Sequence, residues 1–299
     1  MSTSTRRTFV ATVFSLAAGA LAPAFGADFT SERISVATEG QGKDVILIPG
    51  LGSSPRVWRE MVRALPSYRY HVVHVSGFAG RAAGQNAQGL VAAPVAEEIA
   101  RYIAARGLDR PAVIGHSMGG TIGMMIAARH PESLSRLMVV DMLPFLGAMF
   151  GPPGTTAASI APVADSFKAQ MSVVDPAARQ MRSTAALARM IDNTAMRPAA
   201  LDDSLGSDQD VVARAFHELV VTDLRPELPM IAVPVTVLYV AQKPPGPSDE
   251  VVDAGYLDSY AKLKGVTLKR IPASARFMMW DQPERFQAEV KAFLGQPKP

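Results

Sequence analysis

The sequence has no cysteine, little net charge and few histidines. The absence of cysteine excludes disulfides, a thiolate nucleophile and any cysteine-ligated metal site. The formal net charge is +3, and without Arg6 and Arg7, which lie in a predicted removable leader, 28 basic residues face 27 acidic ones. This balance excludes the strongly basic surface with which proteins bind nucleic acids. Of the five histidines, none follows His217, which restricts where an imidazole base can come from.

Residues 1–26, "MSTSTRRTFVATVFSLAAGALAPAFG", have the pattern of an export signal peptide. A basic pair precedes an apolar, alanine-rich run from Phe9 to Ala22, and small residues follow ahead of a cleavage site before Ala27. The run is shorter than the roughly 20 residues of a bilayer span, which argues against a permanent membrane anchor. "TRRTFV" resembles the twin-arginine pattern. We therefore expect an exported protein, periplasmic or secreted.

The remaining chain, residues 27–299, is expected to form one α/β domain with a mainly parallel sheet and helices on both faces. Short β-branched runs alternate with longer helical patterns, as in parallel sheets with crossover helices. The run "PAVIGHS" is continuously apolar, as expected of a strand buried on both faces. The predicted helices are Pro55–Leu65, Ala93–Arg106, Met118–Arg129, Pro176–Ile191, Gln209–Val220, Val251–Leu263 and Pro283–Leu294.

The alternation of strands and helices breaks down between about residues 143 and 223. This segment is rich in Pro, Gly, Ser and Ala, and it is too long for a simple loop between two strands. It is predicted to be a helical cap inserted over the site. Apolar residues at its start could line a pocket or form the core of the cap: Met142, Leu143, Phe145, Leu146, Met149 and Phe150.

The pentapeptide Gly115-His116-Ser117-Met118-Gly119 fits the G-x-S-x-G pattern of a nucleophile elbow. Ser117 falls between a buried strand and a helix, where a strained turn exposes the hydroxyl above the sheet. Side chains at Gly115 and Gly119 would collide with the neighbouring strand and helix. Ser117 is therefore the candidate nucleophile.

A second glycine turn, within "LIPGLGSS" at residues 47–54, ends an earlier strand. Its Leu51 can offer a backbone N–H to a developing oxyanion. Together with the N–H of Met118, at the start of the following helix, it would form the two-donor oxyanion hole that acyl transfer uses. The plainer interpretation is an ordinary glycine-rich turn.

From about Arg33 to the C-terminus the chain resembles the α/β-hydrolase fold family, in its lipase and esterase branch. The matching segments are "LIPGLGSS", "GFAG" at 77–80, "VIGHSMGG", "RLMVVD", "VPVTVLYV" and "MMWDQPERF". The resemblance implies a catalytic triad with the chain order serine, acid after a late strand, and histidine after the last strand.

Two triad positions depart from the family pattern. Arg276 stands where the histidine is expected, and Gln242 stands near the position of the acid. Asp141 and Asp249 are the other candidates for the acid, and His217 is the candidate for a substitute base. Arginine cannot act as the base, because its guanidinium is permanently protonated and has no acceptor nitrogen.

The sequence leaves two functions open. One is a serine hydrolase that acts slowly on small carboxylic esters through Ser117, since triads that lack one member keep roughly 10³ to 10⁴ of rate enhancement over water. The other is a degenerate hydrolase that binds a small carboxylate or apolar ligand under its cap, with Arg276 as the cation. In either case we expect a small-molecule partner and neither a cofactor nor a metal.

Overall fold

The computed structural model describes Met1 and residues 29–172, 175–241 and 246–295, so the predicted export signal and Gln242 lie outside the described residues. Within these ranges the chain forms a seven-stranded sheet in the order β1-β3-β2-β4-β5-β6-β7. The strands are β1 (Ile34–Gly40), β2 (Lys43–Ile48), β3 (Tyr68–Val75), β4 (Ala112–His116), β5 (Arg136–Val140), β6 (Val235–Tyr239) and β7 (Thr267–Arg270).

The sheet is parallel except at one edge. Strand β1 pairs antiparallel with β3, and all other neighbouring strands run parallel. The adjacent inner strands β4 and β5 are buried at every residue, which explains why, apart from His116 and Arg136 at their ends, their sequences are apolar rather than alternating. The predicted α/β architecture is thereby confirmed.

Helices cover both faces of the sheet and generate two separate cores. The helices are α1 (Arg59–Ala64), α2 (Ala92–Ala105), α3 (Met118–Arg129), α4 (Ala157–Met171), α5 (Pro176–Met190), α6 (Arg197–Gly206), α7 (Gln209–Val221), α8 (Asp249–Ser259), α9 (Met278–Asp281) and α10 (Pro283–Gly295). Helices α2, α3, α7 and α8 contribute to one core, and α1, α9 and α10 contribute to the other. None of the helices in the described ranges combines the length and the hydrophobicity that crossing a bilayer requires.

Four helices, α4 to α7, lie between β5 and β6, in the segment where the sequence predicts a cap. The sequence pattern predicts α5 and α7 but not α4 and α6. Helix α7 is attached to the main body by Glu218, which is only 2% exposed. Its carboxylate accepts hydrogen bonds from the backbone N–H groups of Val91, Ala92 and Ala93 at distances of 2.6–2.8 Å. This carboxylate caps the N-terminus of α2, where unpaired N–H groups and the helix dipole favour an anion.

Candidate active site

Ser117 occupies a strained turn between β4 and α3. Its backbone angles are φ 50° and ψ −118°, a region that non-glycine residues rarely adopt. The Ser117 N–H donates to the carbonyl of Val140 at 2.8 Å, which fixes the turn against the end of β5. The side chain remains partly accessible, and its Oγ forms no hydrogen bond to any other described residue. The candidate nucleophile is thus held rigidly with a free hydroxyl.

The two glycines of the motif are required by backbone packing. A Cβ atom on Gly115 would lie 2.1 Å from the carbonyl oxygen of Gly119, inside the first turn of α3. A Cβ atom on Gly119 would lie 2.2 Å from the carbonyl oxygen of Ile48 at the end of β2. Because both obstacles are main-chain atoms, side chains at these positions could be accommodated only by displacing the turn.

The turn that carries Leu51 lies beside Ser117. A Cβ atom on Gly50 would lie 3.2 Å from the Cβ of Ser117, so the two segments are in contact. The turn is closed by a 3.1 Å hydrogen bond from the N–H of Ser53 to the carbonyl of Gly50. Among the described residues, the N–H groups of Leu51 and Met118 have no hydrogen-bond acceptor. Two unpaired donors near one hydroxyl are what an oxyanion hole needs.

Arg276 lies against Asp141, the residue that follows β5. The Arg276 Nη1 and the Asp141 Oδ2 are 3.2 Å apart, and the Asp141 side chain is only 3% exposed. The contact is an ion pair without hydrogen-bond alignment, since Asp141 Oδ2 has no aligned donor in the described chain. The other oxygen, Oδ1, accepts from the N–H of Val240 and the hydroxyl of Tyr256, both at 3.4 Å. Burial raises the pKa of Asp141, while the positive charge of Arg276 acts in the opposite direction.

His116 fixes the backbone at position 276. Its Nε2 lies 3.1 Å from the carbonyl oxygen of Arg276, so Nε2 carries the hydrogen that it donates to this carbonyl. The ring also packs edge-on against Phe277, with 4.7 Å between centroids. His116 therefore connects the elbow directly to the loop that carries Arg276.

All five histidines belong to the described chain, and each has a partner away from the Ser117 hydroxyl. His71 contacts Asp44 and Tyr102, His74 the carbonyl of Phe78, His116 that of Arg276, His130 Glu97 and His217 Asp165. The candidate substitute base, His217, thus pairs with Asp165 of α4 at 3.0 Å and joins two helices of the insertion.

The other acid candidate, Asp249, lies away from Ser117. Asp249 begins α8, and its carboxylate pairs with Arg270 rather than with the Ser117 site.

The predicted pocket residues differ in their exposure. Met142, Phe145 and Leu146 are buried and Leu143 is partly buried, whereas Met149 and Phe150 are 45% and 38% exposed. Phe150 packs edge-on against Phe167 and Phe216 on the helices of the insertion. Most of the predicted pocket residues therefore belong to the core.

Backbone strain is concentrated at the carboxyl edge of the sheet, where Ser117 lies. Within the described ranges, the non-glycine residues with positive φ angles are Ala79, Arg110, Ser117, Asp141 and Ala273. All except Arg110 follow the carboxyl end of a strand. Ligands of open parallel sheets bind at this edge, and strained residues concentrate at functional sites. The placement of Ser117, Asp141 and the Arg276 loop fits this rule.

The buried His116 makes stability depend on pH. Burial is the main cause that lowers its pKa from 6.5 to about 4. The unfolded chain therefore binds more protons between these values, and the stabilisation present above pH 6.5 is lost as the pH falls toward 4. We expect His116 to account for about 3 kcal/mol of lost unfolding free energy over this range.

Urea denaturation from pH 7 to pH 4 measures this loss. His116→Gln, whose amide can still donate to the Arg276 carbonyl, should flatten the pH profile relative to the wild type. His130→Gln, at the protein surface, is the matched control. A profile of His116→Gln as steep as that of the wild type would contradict the assignment of a buried neutral imidazole.

Comparison with known proteins identifies the family to which a chain with this fold and this serine turn belongs. The chain belongs to the α/β-hydrolase fold family, whose model matches residues 44–283. A pimeloyl-(acyl-carrier protein) methyl ester esterase of Pectobacterium carotovorum is 30% identical over 267 residues, covering 86% of this chain and 96% of that esterase. The esterase of the same name from Vibrio cholerae is 28% identical and covers 86% and 93%. The chain is thus an esterase-like member of the family.

Solved structures share the fold. An esterase from Exiguobacterium antarcticum superimposes with a TM-score of 0.73 at 19% identity, covering 88% of this chain and 96% of that one. The enol-lactonase from Burkholderia xenovorans LB400 gives a TM-score of 0.72 at 18% identity with the same coverage. At these identities the likeness concerns the fold alone.

Proposed function

We propose that the protein is an exported serine esterase that hydrolyses small carboxylic esters slowly through Ser117. The observation that carries the proposal is the combination of a strained Ser117 with two unpaired N–H groups, those of Leu51 and Met118. Relatives that cover most of the chain are named as methyl ester esterases, which supports ester hydrolysis as the reaction class. The helices between β5 and β6 would form the cap over this site.

The low rate follows from the missing base. In the proposed reaction, Ser117 Oγ attacks the ester carbonyl, the alcohol leaves, and water releases the acid from the acyl-enzyme. No imidazole contacts Ser117 Oγ in the described chain, so its proton must pass to solvent. The oxyanion hole would still stabilise the tetrahedral intermediate, which accounts for the roughly 10³ to 10⁴ of rate enhancement that such sites retain over water.

The ligand-binding alternative has weaker support. It needs the charge of Arg276 to attract a carboxylate, but Asp141 already compensates that charge at 3.2 Å. An incoming anion would have to displace a buried carboxylate that also accepts from Tyr256. The alternative predicts that small carboxylates raise the melting temperature of the wild type and have no effect on Arg276→Ala.

Hydrolysis of p-nitrophenyl acetate and butyrate tests the proposed function. We expect the wild type to release nitrophenol above the buffer rate, and Ser117→Ala to abolish this excess because the nucleophile is lost. Thermal denaturation of both proteins checks that the variant is folded. An equal excess rate in wild type and Ser117→Ala would eliminate the proposed reaction.

A further inference from the structure

The oxyanion turn, residues Gly50–Ser54, is bound by helix α6 and the residue that follows it. Gly52 adopts a positive φ of 64°, so the turn has a conformation that the local sequence permits but does not fix alone. The direction of the Leu51 N–H depends on this conformation. Contacts that fix residues 52–54 therefore determine the direction of the Leu51 N–H, one of the two oxyanion donors.

Asp203 of α6 binds the end of this turn through one carboxylate oxygen and Arg56, just beyond the turn, through the other. Its Oδ2 accepts from the N–H of Ser54 at 2.9 Å and from the hydroxyl of Ser54 at 2.7 Å. Its Oδ1 lies 2.9 Å from Nη2 of Arg56. Asp203 is only 3% exposed, and its Oδ1 is compensated by the charge of Arg56 without an aligned hydrogen bond. The hydrogen bonds that its carboxylate accepts from the described residues therefore come from Ser54 alone. Its three polar contacts all go to Ser54 and Arg56.

Ser207, one turn further on, adds a second attachment. Its Oγ lies 2.7 Å from the carbonyl oxygen of Asp203 and 3.3 Å from that of Gly52, and it accepts the N–H of Ala79 at 2.9 Å. The N–H of Gly80 donates to the carbonyl of Gly206 at 2.9 Å. The end of α6 is thus joined to the loops that follow both β2 and β3.

We propose that Asp203 is a positioning residue for the reaction: it fixes the oxyanion turn so that the Leu51 N–H points at the substrate carbonyl oxygen. This inference rests on the proposed function. Asp203 does not touch the reacting atoms and acts only through Ser54 and the turn. Through Asp203 the geometry of the oxyanion hole depends on α6. A displacement of α6 would therefore weaken transition-state stabilisation as well as altering access to the site. Misplacing a donor by about 1 Å costs on the order of a hundredfold in rate.

The test compares Asp203→Ala and Asp203→Asn with two controls. Asp202→Ala changes the exposed neighbour on the same helix. Glu218→Gln weakens a buried attachment of the insertion elsewhere, at the N-terminus of α2, without touching the turn. We expect Asp203→Ala to lower the Ser117-dependent kcat by about tenfold to a hundredfold while KM changes less than about twofold. Asp203→Asn, which keeps one acceptor for Ser54, should recover part of the loss.

Hydrogen exchange of the Leu51–Ser54 amides provides a readout that does not require activity. We expect faster exchange in Asp203→Ala than in Glu218→Gln, compared at equal distance below each melting temperature. An unchanged kcat in Asp203→Ala, or the same loss in Glu218→Gln, would overturn the positioning role. If the wild type and Ser117→Ala hydrolyse esters equally, it is the proposed function that fails. In that case hydrogen exchange still tests Asp203, because unchanged exchange of the Leu51–Ser54 amides in both Asp203 variants would reject its role in fixing the turn. If Asp203→Ala does not fold, Asp203→Asn carries both measurements.

Discussion

Replacing Arg276 with histidine is expected to raise Ser117-dependent ester hydrolysis by about 10²- to 10⁴-fold, the contribution that a general base makes. The backbone at position 276 is already fixed, and a carboxylate lies near its side chain. Position 276 has its carbonyl held by His116 Nε2 at 3.1 Å, and its side chain already reaches the buried carboxylate of Asp141. A histidine side chain is shorter than that of arginine, and we expect its ring to turn toward the Asp141 carboxylate, which would orient it.

The measurement is kcat/KM for a p-nitrophenyl ester, with three control variants. Arg276→Gln removes the positive charge without supplying a base and should gain little. Arg276→His combined with Ser117→Ala should return to the background rate, and Arg276→His combined with Asp141→Asn should lose most of the gain. Adding Gln242→Asp supplies an acid at the other family position. If kcat/KM rises only when Gln242→Asp is present, Asp141 is not the acid that orients the new histidine. If kcat/KM rises neither in Arg276→His nor in its combination with Gln242→Asp, Arg276 does not occupy the position of the base.

Replacing Gly115 with alanine is expected to destabilise the protein by about 3 kcal/mol or more, which is a large effect for a single methyl group. The added Cβ would lie 2.1 Å from the carbonyl oxygen of Gly119 and 2.7 Å from the N of Gly120. Both obstacles are backbone atoms of α3, so the strand and the helix must separate. The same displacement would move Ser117, and we expect it to abolish the proposed Ser117-dependent hydrolysis.

Urea denaturation measures this loss, and Gly255→Ala is the matched control. Gly255 lies in the exposed face of α8, where an added Cβ would meet no other atom within 4 Å and the φ angle is not positive. Alanine there should stabilise the protein by about 0.5–1 kcal/mol through its higher helix propensity. Equal stability of Gly115→Ala and the wild type would show that the elbow is not packed as described.

Local patterns were sufficient to predict much of the fold. The apolar run of β4 and the glycine spacing around Ser117 predicted a strand, a turn and a helix, and α3 begins and ends where the sequence indicates. Helices α4 and α6 were missed because they lie in a segment rich in Pro, Gly, Ser and Ala, where periodicity is weak. Their formation depends on contacts with α7 and with the loops of the sheet rather than on their own sequences.

The polar contacts of the site were harder to predict than its backbone. The resemblance to the family places Arg276 at the expected histidine position, but the pairing of Arg276 with Asp141 joins residues 135 positions apart. Asp203 gave no signal at all, because an aspartate within a helix is usually solvated, and its contact with Ser54 spans 149 positions. Tyr256, which donates to Asp141, looks like an ordinary core residue of α8. Such contacts arise only from the assembled topology.

We propose that Ser117 is a nucleophile without an imidazole partner, and the pH dependence of its covalent labelling distinguishes this from a serine that a histidine activates. A fluorophosphonate reacts when Ser117 Oγ bonds to phosphorus and fluoride leaves, and intact-mass spectrometry gives the rate. We predict slow labelling of the wild type at Ser117, rising steadily with pH from 5.5 to 8.5, and faster labelling of Arg276→His with an inflection near the usual histidine pKa of about 6.5. Wild-type labelling that levels off above such an inflection would mean that a histidine already accepts the Ser117 proton, and it would contradict the absence of an imidazole base.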